Sequence, residues 1–325
     1  MIWLTWRQQR TETLIAILVL ALVTAVLVPT GLHIASVYDH DGIGGCLAHP
    51  TGTCTERLDA FAGRWDSLSS LTGWFNLLPG LIGALLAAPL VLELERGTFR
   101  LAWTQSITRR RWLTTRLALL VGAAVAFALQ LTLLMSWWRH PLDAVDGRFQ
   151  NGFDFEGLVP TAYMLFAAAV VLAFGVVLRR TAAAIGLGFA AFFALRIGIE
   201  GWVRQHYVAP VHKTWTGGEL PGRILISPAD ALLRTAWVLN RGSGFSATRG
   251  HRPDPSIVES CIKHASTRGF ERTCLAQHHI TEYAYAVYQP ASRFWLFQVI
   301  EAGIFVVLSL ALLGFAIYWI RRRVS

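Results

Sequence analysis

Apolar residues in this chain fall in long runs separated by short polar clusters, with no two-residue alternation inside them. The runs cover roughly Leu14–Val37, Leu71–Leu92, Leu113–Trp138, Gly157–Leu178, Ile185–Trp202 and Phe294–Ile320. Each approaches or exceeds about 20 residues, the length at which a helix crosses the hydrocarbon of a bilayer. A backbone in hydrocarbon must satisfy its own hydrogen bonds, so each run is expected to be a helix. The pattern predicts an all-α membrane protein with six transmembrane helices. Pro29 and Gly31 are expected to kink the first span. The second carries Pro79, Gly80, Gly83 and Pro89. Small residues let a neighbouring helix approach, which places this span inside the bundle.

The polar segments divide the chain further. Residues 1–13, MIWLTWRQQRTET, put Trp3 and Trp6 ahead of Arg7 and Arg10 and suit an amphipathic helix lying in the membrane interface. Residues 14–202 hold spans one to five. Residues 93–112 form a connector between the second and third spans, with Glu93, Glu95, Arg96, Arg100, Arg109, Arg110 and Arg111. Such charge density cannot lie in hydrocarbon. Residues 203–293 are too long for a simple loop. Within them SPADALLRTAWVL (from Ser227), Asp254–Thr267 and Leu275–Tyr288 read as helical, with GSGFSATRGHRPD flexible between. A helical cap is therefore expected between spans five and six. Residues 294–325 supply the sixth span and a basic tail.

Composition agrees and adds an orientation. Hydrophobic residues make up 54% and charged residues 15% of the 325, with a mean hydropathy of +0.45. The net charge of +9 raises a nucleic-acid reading. The basic residues are arginines at the ends of apolar runs, with only Lys213 and Lys263 as lysines. That is the distribution of the positive-inside rule, not of a basic face on a soluble fold. With Arg179, Arg180, Arg321, Arg322 and Arg323 added to the connector arginines, both termini and residues 93–112 fall in the cytoplasm. The 38–70 loop, 139–156 and the cap fall outside, in a multi-pass protein of the cell membrane.

On that topology Cys46, Cys54, Cys261 and Cys274 all face an oxidising compartment. Four cysteines allow three pairings. Local pairing, Cys46 with Cys54 and Cys261 with Cys274, closes short loops and is the expected one. A zinc site from Cys261, His264, Cys274 and His278 is the alternative. HHITE, from His278 to Glu282, lacks the spacing of a metalloprotease helix, and no nucleophile elbow occurs, so no catalytic residue is assigned. No phosphate-binding loop with its lysine is present, so ATP and magnesium, if used, bind another chain. Within or near the membrane, Arg196, Glu200, Glu301 and Gln298 stand out. Intramembrane charge is costly and faces a bundle interior or a wet path, which makes these candidates for a translocation path.

These residues bring a family into view. ELERGT (Glu93–Thr98) followed by an arginine-rich turn, between the second and third of six spans, resembles the permease subunit of type-2 ABC exporters. MIWLTWRQQR, RLAWTQSITRRRW and YQPASRFWLFQVIEAGIF resemble its actinobacterial drug- and antibiotic-exporter branch. Ser106, Ile107 and Thr108 stand where related permeases often carry a proline. The resemblance implies that the connector is a coupling helix docking on a cytoplasmic ABC ATPase, with two ATPases and two permease copies forming the transporter. Glu93, Glu95, Gly97, Thr98, Phe99, Arg100, Trp103 and Arg109 would be the coupling residues. The implied function is ATP-driven export of amphipathic or apolar molecules, as in multidrug resistance, by a homodimer without chemistry or cofactor of its own. A sensor or immunity protein binding a ligand with its cap, and a membrane enzyme using the Cys/His cluster, are the rival classes. The residues name no substrate.

Overall fold

The computed structural model describes residues 2–49, 54–98, 108–216, 233–247, 253–263 and 268–323. Six helices are long and apolar enough to cross a membrane, as the apolar runs require. Helix α1 (Ile2–His40) is 39 residues long. At about 1.5 Å per residue it spans roughly 58 Å, nearly twice the hydrocarbon thickness. Residues 2–13, expected as a separate interfacial helix, continue α1 without a break. The 38–70 stretch, read as a polar loop, folds into α2 (Ile43–Ala48) and α3 (Cys54–Leu71). The Cys46–Cys54 disulfide ties them together.

A 3-10 turn, Thr72–Asn76, leads into α4 (Leu77–Arg96). Next come α5 (Arg109–Asp146), the one-turn α6 (Arg148–Asn151) and α7 (Val159–Leu178). Two residues link α7 to α8 (Thr181–Gly198), and Arg179 takes a left-handed φ of 52° to make the turn. Helix α8 runs on through a π-helical turn, Ile199–Val203, and a 3-10 turn, Arg204–His206.

Helices α4 and α7 form the interior, with 61% and 72% of their apolar windows buried against 28% for the first, fifth and sixth spans. The small residues of α4 explain its place. A Cβ on Gly83 would lie 2.6 Å from the Met164 carbonyl oxygen and 2.8 Å from Ala167 Cβ. Gly175 of α7 would meet Val91 of α4 at 2.4 Å. Gly83→Val is therefore expected to push α4 and α7 apart and cost about 1–3 kcal/mol or more. A lower Tm in detergent checks this; an unchanged one would show that the two helices need not touch.

Residues 211–289 hold a three-stranded antiparallel sheet, β1 (Val211–Thr216), β2 (Trp237–Ala247) and β3 (Ile280–Gln289), in the order β1-β3-β2. Helices α9 (Pro255–Lys263) and α10 (Arg268–Gln277) lie between β2 and β3 in sequence. The Cys261–Cys274 disulfide joins them. Both local disulfides were expected. Mapping of non-reduced peptides should find both and no 46–261 or 54–274 cross-pair.

The wholly helical cap needs correction. Within Leu275–Tyr288 the helix stops at Gln277 and a strand begins at Ile280; Trp237–Leu239 are strand, as are Gly242–Ala247 in the stretch read as flexible. Ser227–Leu232 and 248–252 lie outside the described residues. In ITEYAYAVYQ, Ala284, Ala286 and Tyr288 are buried while the residues between are not. This two-residue period with aromatic side chains favours a strand over a helix. The glycines have a packing role. A Cβ on Gly242 would meet the Tyr285 ring, and one on Gly244 the Tyr283 ring, each at 2.8 Å from the hydroxyl oxygen. Cross-strand tyrosines lie over them, so the glycines make room where flexibility was expected.

Helix α11 (Phe294–Arg323) packs on α7 and closes the chain. One end of the bundle gathers the arginines, around a cluster of Leu94, Trp112, Val176, Ala184 and Ile320. The other carries the sheet, over a cluster of Phe149, Phe153, Tyr163, Phe192 and Phe297.

Candidate functional site

At the arginine end, Gly97 terminates α4 with a φ of 68°, the left-handed value that favours glycine at a helix end. Thr98 follows, its hydroxyl donating to the Glu93 carbonyl at 3.5 Å. Thr108 caps α5 by accepting from the Arg111 N–H at 3.4 Å. The break at Gly97 agrees with the sequence reading. Phe99, Arg100 and Trp103, the expected apolar and basic face, lie outside the described residues, as does a second short helix begun by Thr98. Arg109 opens α5.

Glu93 and Glu95 diverge, as residues two apart on a helix must. Glu93 forms an ion pair with Arg116 of α5, both side chains largely buried. Glu95 turns to α8, accepting from the Thr181 backbone N–H at 2.8 Å and from its hydroxyl. That N–H is one of the helix-start donors with no partner inside α8, and the positive end of the helix dipole favours a carboxylate there. Both expected coupling carboxylates therefore engage this chain's own helices.

At the sheet end, an ion-pair network joins α7, α8 and α11. Arg204 is 6% exposed and Glu301 fully buried. Arg204 donates to Glu301 through Nε and Nη2, each at 2.8 Å, and to Asp154 at 2.6 Å. Its guanidinium also lies 4.3 Å from the Phe153 ring centroid. The Tyr163 hydroxyl lies within hydrogen-bond reach of Asp154, at 3.1 Å, and of Glu301. Tyr207 donates to Glu301 at 3.2 Å. Arg196 stands 3.1 Å from Asp154 and only 4.0 Å from Glu200, whose side chain is 47% exposed. Asp154, Glu301, Arg196 and Arg204 balance in charge, which is the condition for keeping ions out of water.

Burial pushes the Asp154 carboxyl up, but Arg204 and Arg196 outweigh it and hold it below the usual range. Its folded-state value thus lies under the unfolded one. The stability it confers is complete above about pH 4 and is lost as pH falls through the lowered value. Thermal unfolding should be insensitive to this group between pH 5 and 8, and Asp154→Asn should flatten the acid limb below about pH 4.

Of the four residues expected to line a path, Arg196 and Glu301 sit inside this network and Glu200 opens outward. Gln298 has a different duty. Its side-chain oxygen accepts from the Leu158 and Val159 N–H groups, at 3.0 and 3.1 Å, and its nitrogen donates to the Phe153 carbonyl at 2.7 Å. It caps the start of α7 from the opposite helix. Sequence reasoning missed Asp154, Tyr163, Arg204 and Tyr207. Asp154, Arg204 and Tyr207 flank apolar runs, where polar residues read as headgroup anchors. The available signal was the spacing of Arg196, Glu200 and Arg204, which places all three on one helical face.

Among the described residues, a further candidate cluster is Cys261, Cys274 and His278, whose sulfur and ring nitrogen atoms lie within 4.8 Å of one another. Both sulfurs are joined in the disulfide and supply no thiolate for a metal. His264 lies outside the described residues.

A family model described as "ABC-2 membrane transporter related" matches residues 17–204, more than half of the chain. No curated protein and no solved structure matches it.

Proposed function

The chain belongs to the ABC-2 membrane transporter-related family, and we propose that it is the permease subunit of an ATP-driven exporter. The observation that carries this reading is the family match, which spans all of α4, the connector and α5 through α8. The arginine end then faces the cytoplasm and the sheet end the outside. A separate ABC ATPase supplies ATP and magnesium binding, and two copies of each subunit form the transporter. ATP binding pushes the connector, and movement of α4 against the partner permease opens a path for amphipathic or apolar molecules. The resemblance of MIWLTWRQQR, RLAWTQSITRRRW and YQPASRFWLFQVIEAGIF to the actinobacterial drug- and antibiotic-exporter branch supports drug-like cargo.

Co-expression with a candidate ABC ATPase, sought in a neighbouring reading frame, tests the reading. The two chains should co-purify in detergent, and the complex should hydrolyse ATP in a vanadate-sensitive manner. Reconstituted in vesicles with a panel of amphipathic dyes, it should move at least one against its gradient when ATP is added. A permease that purifies alone, leaving the ATPase in the soluble fraction, would remove the reading.

A further inference from the structure

We infer that Thr181 is a positioning residue that makes α8 follow α4 when the connector is pushed. This rests on the permease reading. Two carboxylates leave the last turns of α4, about 200° apart around its axis at 100° per residue. Glu93 reaches α5 through Arg116, and Glu95 reaches the first residue of α8 through two hydrogen bonds from Thr181. The connector hangs from the same end of α4, one residue after Arg96. A displacement of that end is therefore divided at once between α5 and α8. The α8 arm extends further, because only two residues separate α8 from α7 and one of them is held in a left-handed turn.

The two arms differ in kind. The Glu93–Arg116 pair is largely buried, so breaking it would harm folding whatever its role in transmission. Glu95 is exposed, and water could serve its carboxylate nearly as well. Its bonds to Thr181 thus contribute little to holding the fold together. What they fix is the register of α8 against α4, and for that a direct contact differs from water. Loss of the Thr181 hydroxyl should leave the protein folded and its ATPase bound, yet loosen α8 from α4.

The test uses the complete complex with its ATPase and a bimane fluorophore on Leu187→Cys, on the exposed face of α8. In the otherwise unmodified complex, ATP with vanadate should shift the bimane emission. In Thr181→Ala, which keeps the backbone N–H bond to Glu95 and loses the hydroxyl bond, the ATPase should still co-purify and Tm stay unchanged, while the shift falls to about half or less. Thr181→Ser, which keeps the hydroxyl, should restore the full shift, and Glu95→Ala, which removes both bonds, should lose more of it than Thr181→Ala. A full emission shift in Thr181→Ala would overturn the inference. So would a complex whose ATPase is bound and active but whose bimane never responds to nucleotide, an outcome that leaves the permease reading standing. Failure of the ATPase to bind the chain at all would remove the permease reading and this inference with it.

Discussion

Arg204→Ala should leave little folded protein to purify. The guanidinium neutralises Asp154 and Glu301 together, and three of its hydrogen bonds run to their carboxylates. With the arginine removed, Arg196 alone remains against two buried carboxylates. Taking one partner from a buried ion pair costs about 3–5 kcal/mol, a large share of the roughly 5–15 kcal/mol that holds a typical protein folded. Arg204→Lys should recover only part of this, since an ammonium cannot bridge both carboxylates in a plane. Glu301→Gln keeps an acceptor for Tyr163 and Tyr207 but loses the charge, so its effect should be intermediate. Removing both charges, Arg204→Met with Glu301→Leu, should be milder than Arg204→Ala alone. Fluorescence-detected size exclusion over a temperature ramp ranks the four. A wild-type Tm for Arg204→Ala would mean that the network is not closed in the folded protein. A place on a translocation path would by itself make Glu301→Gln change transport with expression intact; the network adds a loss of stability to be separated from it.

The second large effect concerns the connector. Phe99→Ala with Trp103→Ala should release the ATPase from the purified complex. The chain leaves α4 at Gly97 and returns at Thr108; between them lie two aromatic residues with Arg100, flanked by Arg96 on one side and Arg109, Arg110 and Arg111 on the other. Aromatic anchors with a charged rim are the usual centre of a protein interface, each worth about 2 kcal/mol or more on truncation. Two such losses predict roughly several-hundredfold weaker binding, enough to empty the complex on a column. The permease should remain folded and monodisperse, because the Glu93–Arg116 and Glu95–Thr181 contacts keep all their residues. Full retention of the ATPase with normal hydrolysis would show that the aromatics only anchor in headgroups.

The six spans were legible because hydrocarbon forces the backbone into long helices and the residues into long apolar runs. The interior place of α4 could be read as well, from glycines whose absent side chains admit Met164 and Ala167. The cap was read worse. The alternation in its strands mixes alanine with tyrosine, a weak signal beside the helix-starting Ser-Pro of Ser227 and Pro228. The ion-pair network was half visible. Arg196 and Glu301 lie inside apolar runs and draw attention as expensive charges, whereas Asp154 and Arg204 lie just beyond them and look like ordinary boundary residues. Only the tertiary fold brings 154, 163, 196, 204 and 301 together. The turn of Glu95 toward Thr181, 86 residues away, left no trace in spacing.

The strand order carries a consequence for biosynthesis. In β1-β3-β2 the central strand is the last of the three in the chain. While the ribosome has yet to reach Ile280, β1 and β2 have been made but have no ladder to join, since each pairs with β3 alone. Non-local pairing of this kind is slow and leaves strand edges open while it waits. Helix α11 begins at Phe294, five residues after Gln289 ends β3. The sheet can therefore close only as the final membrane helix is being delivered, and a nascent chain stopped short of residue 280 exposes two unpaired strands to whatever quality control surveys that side of the membrane.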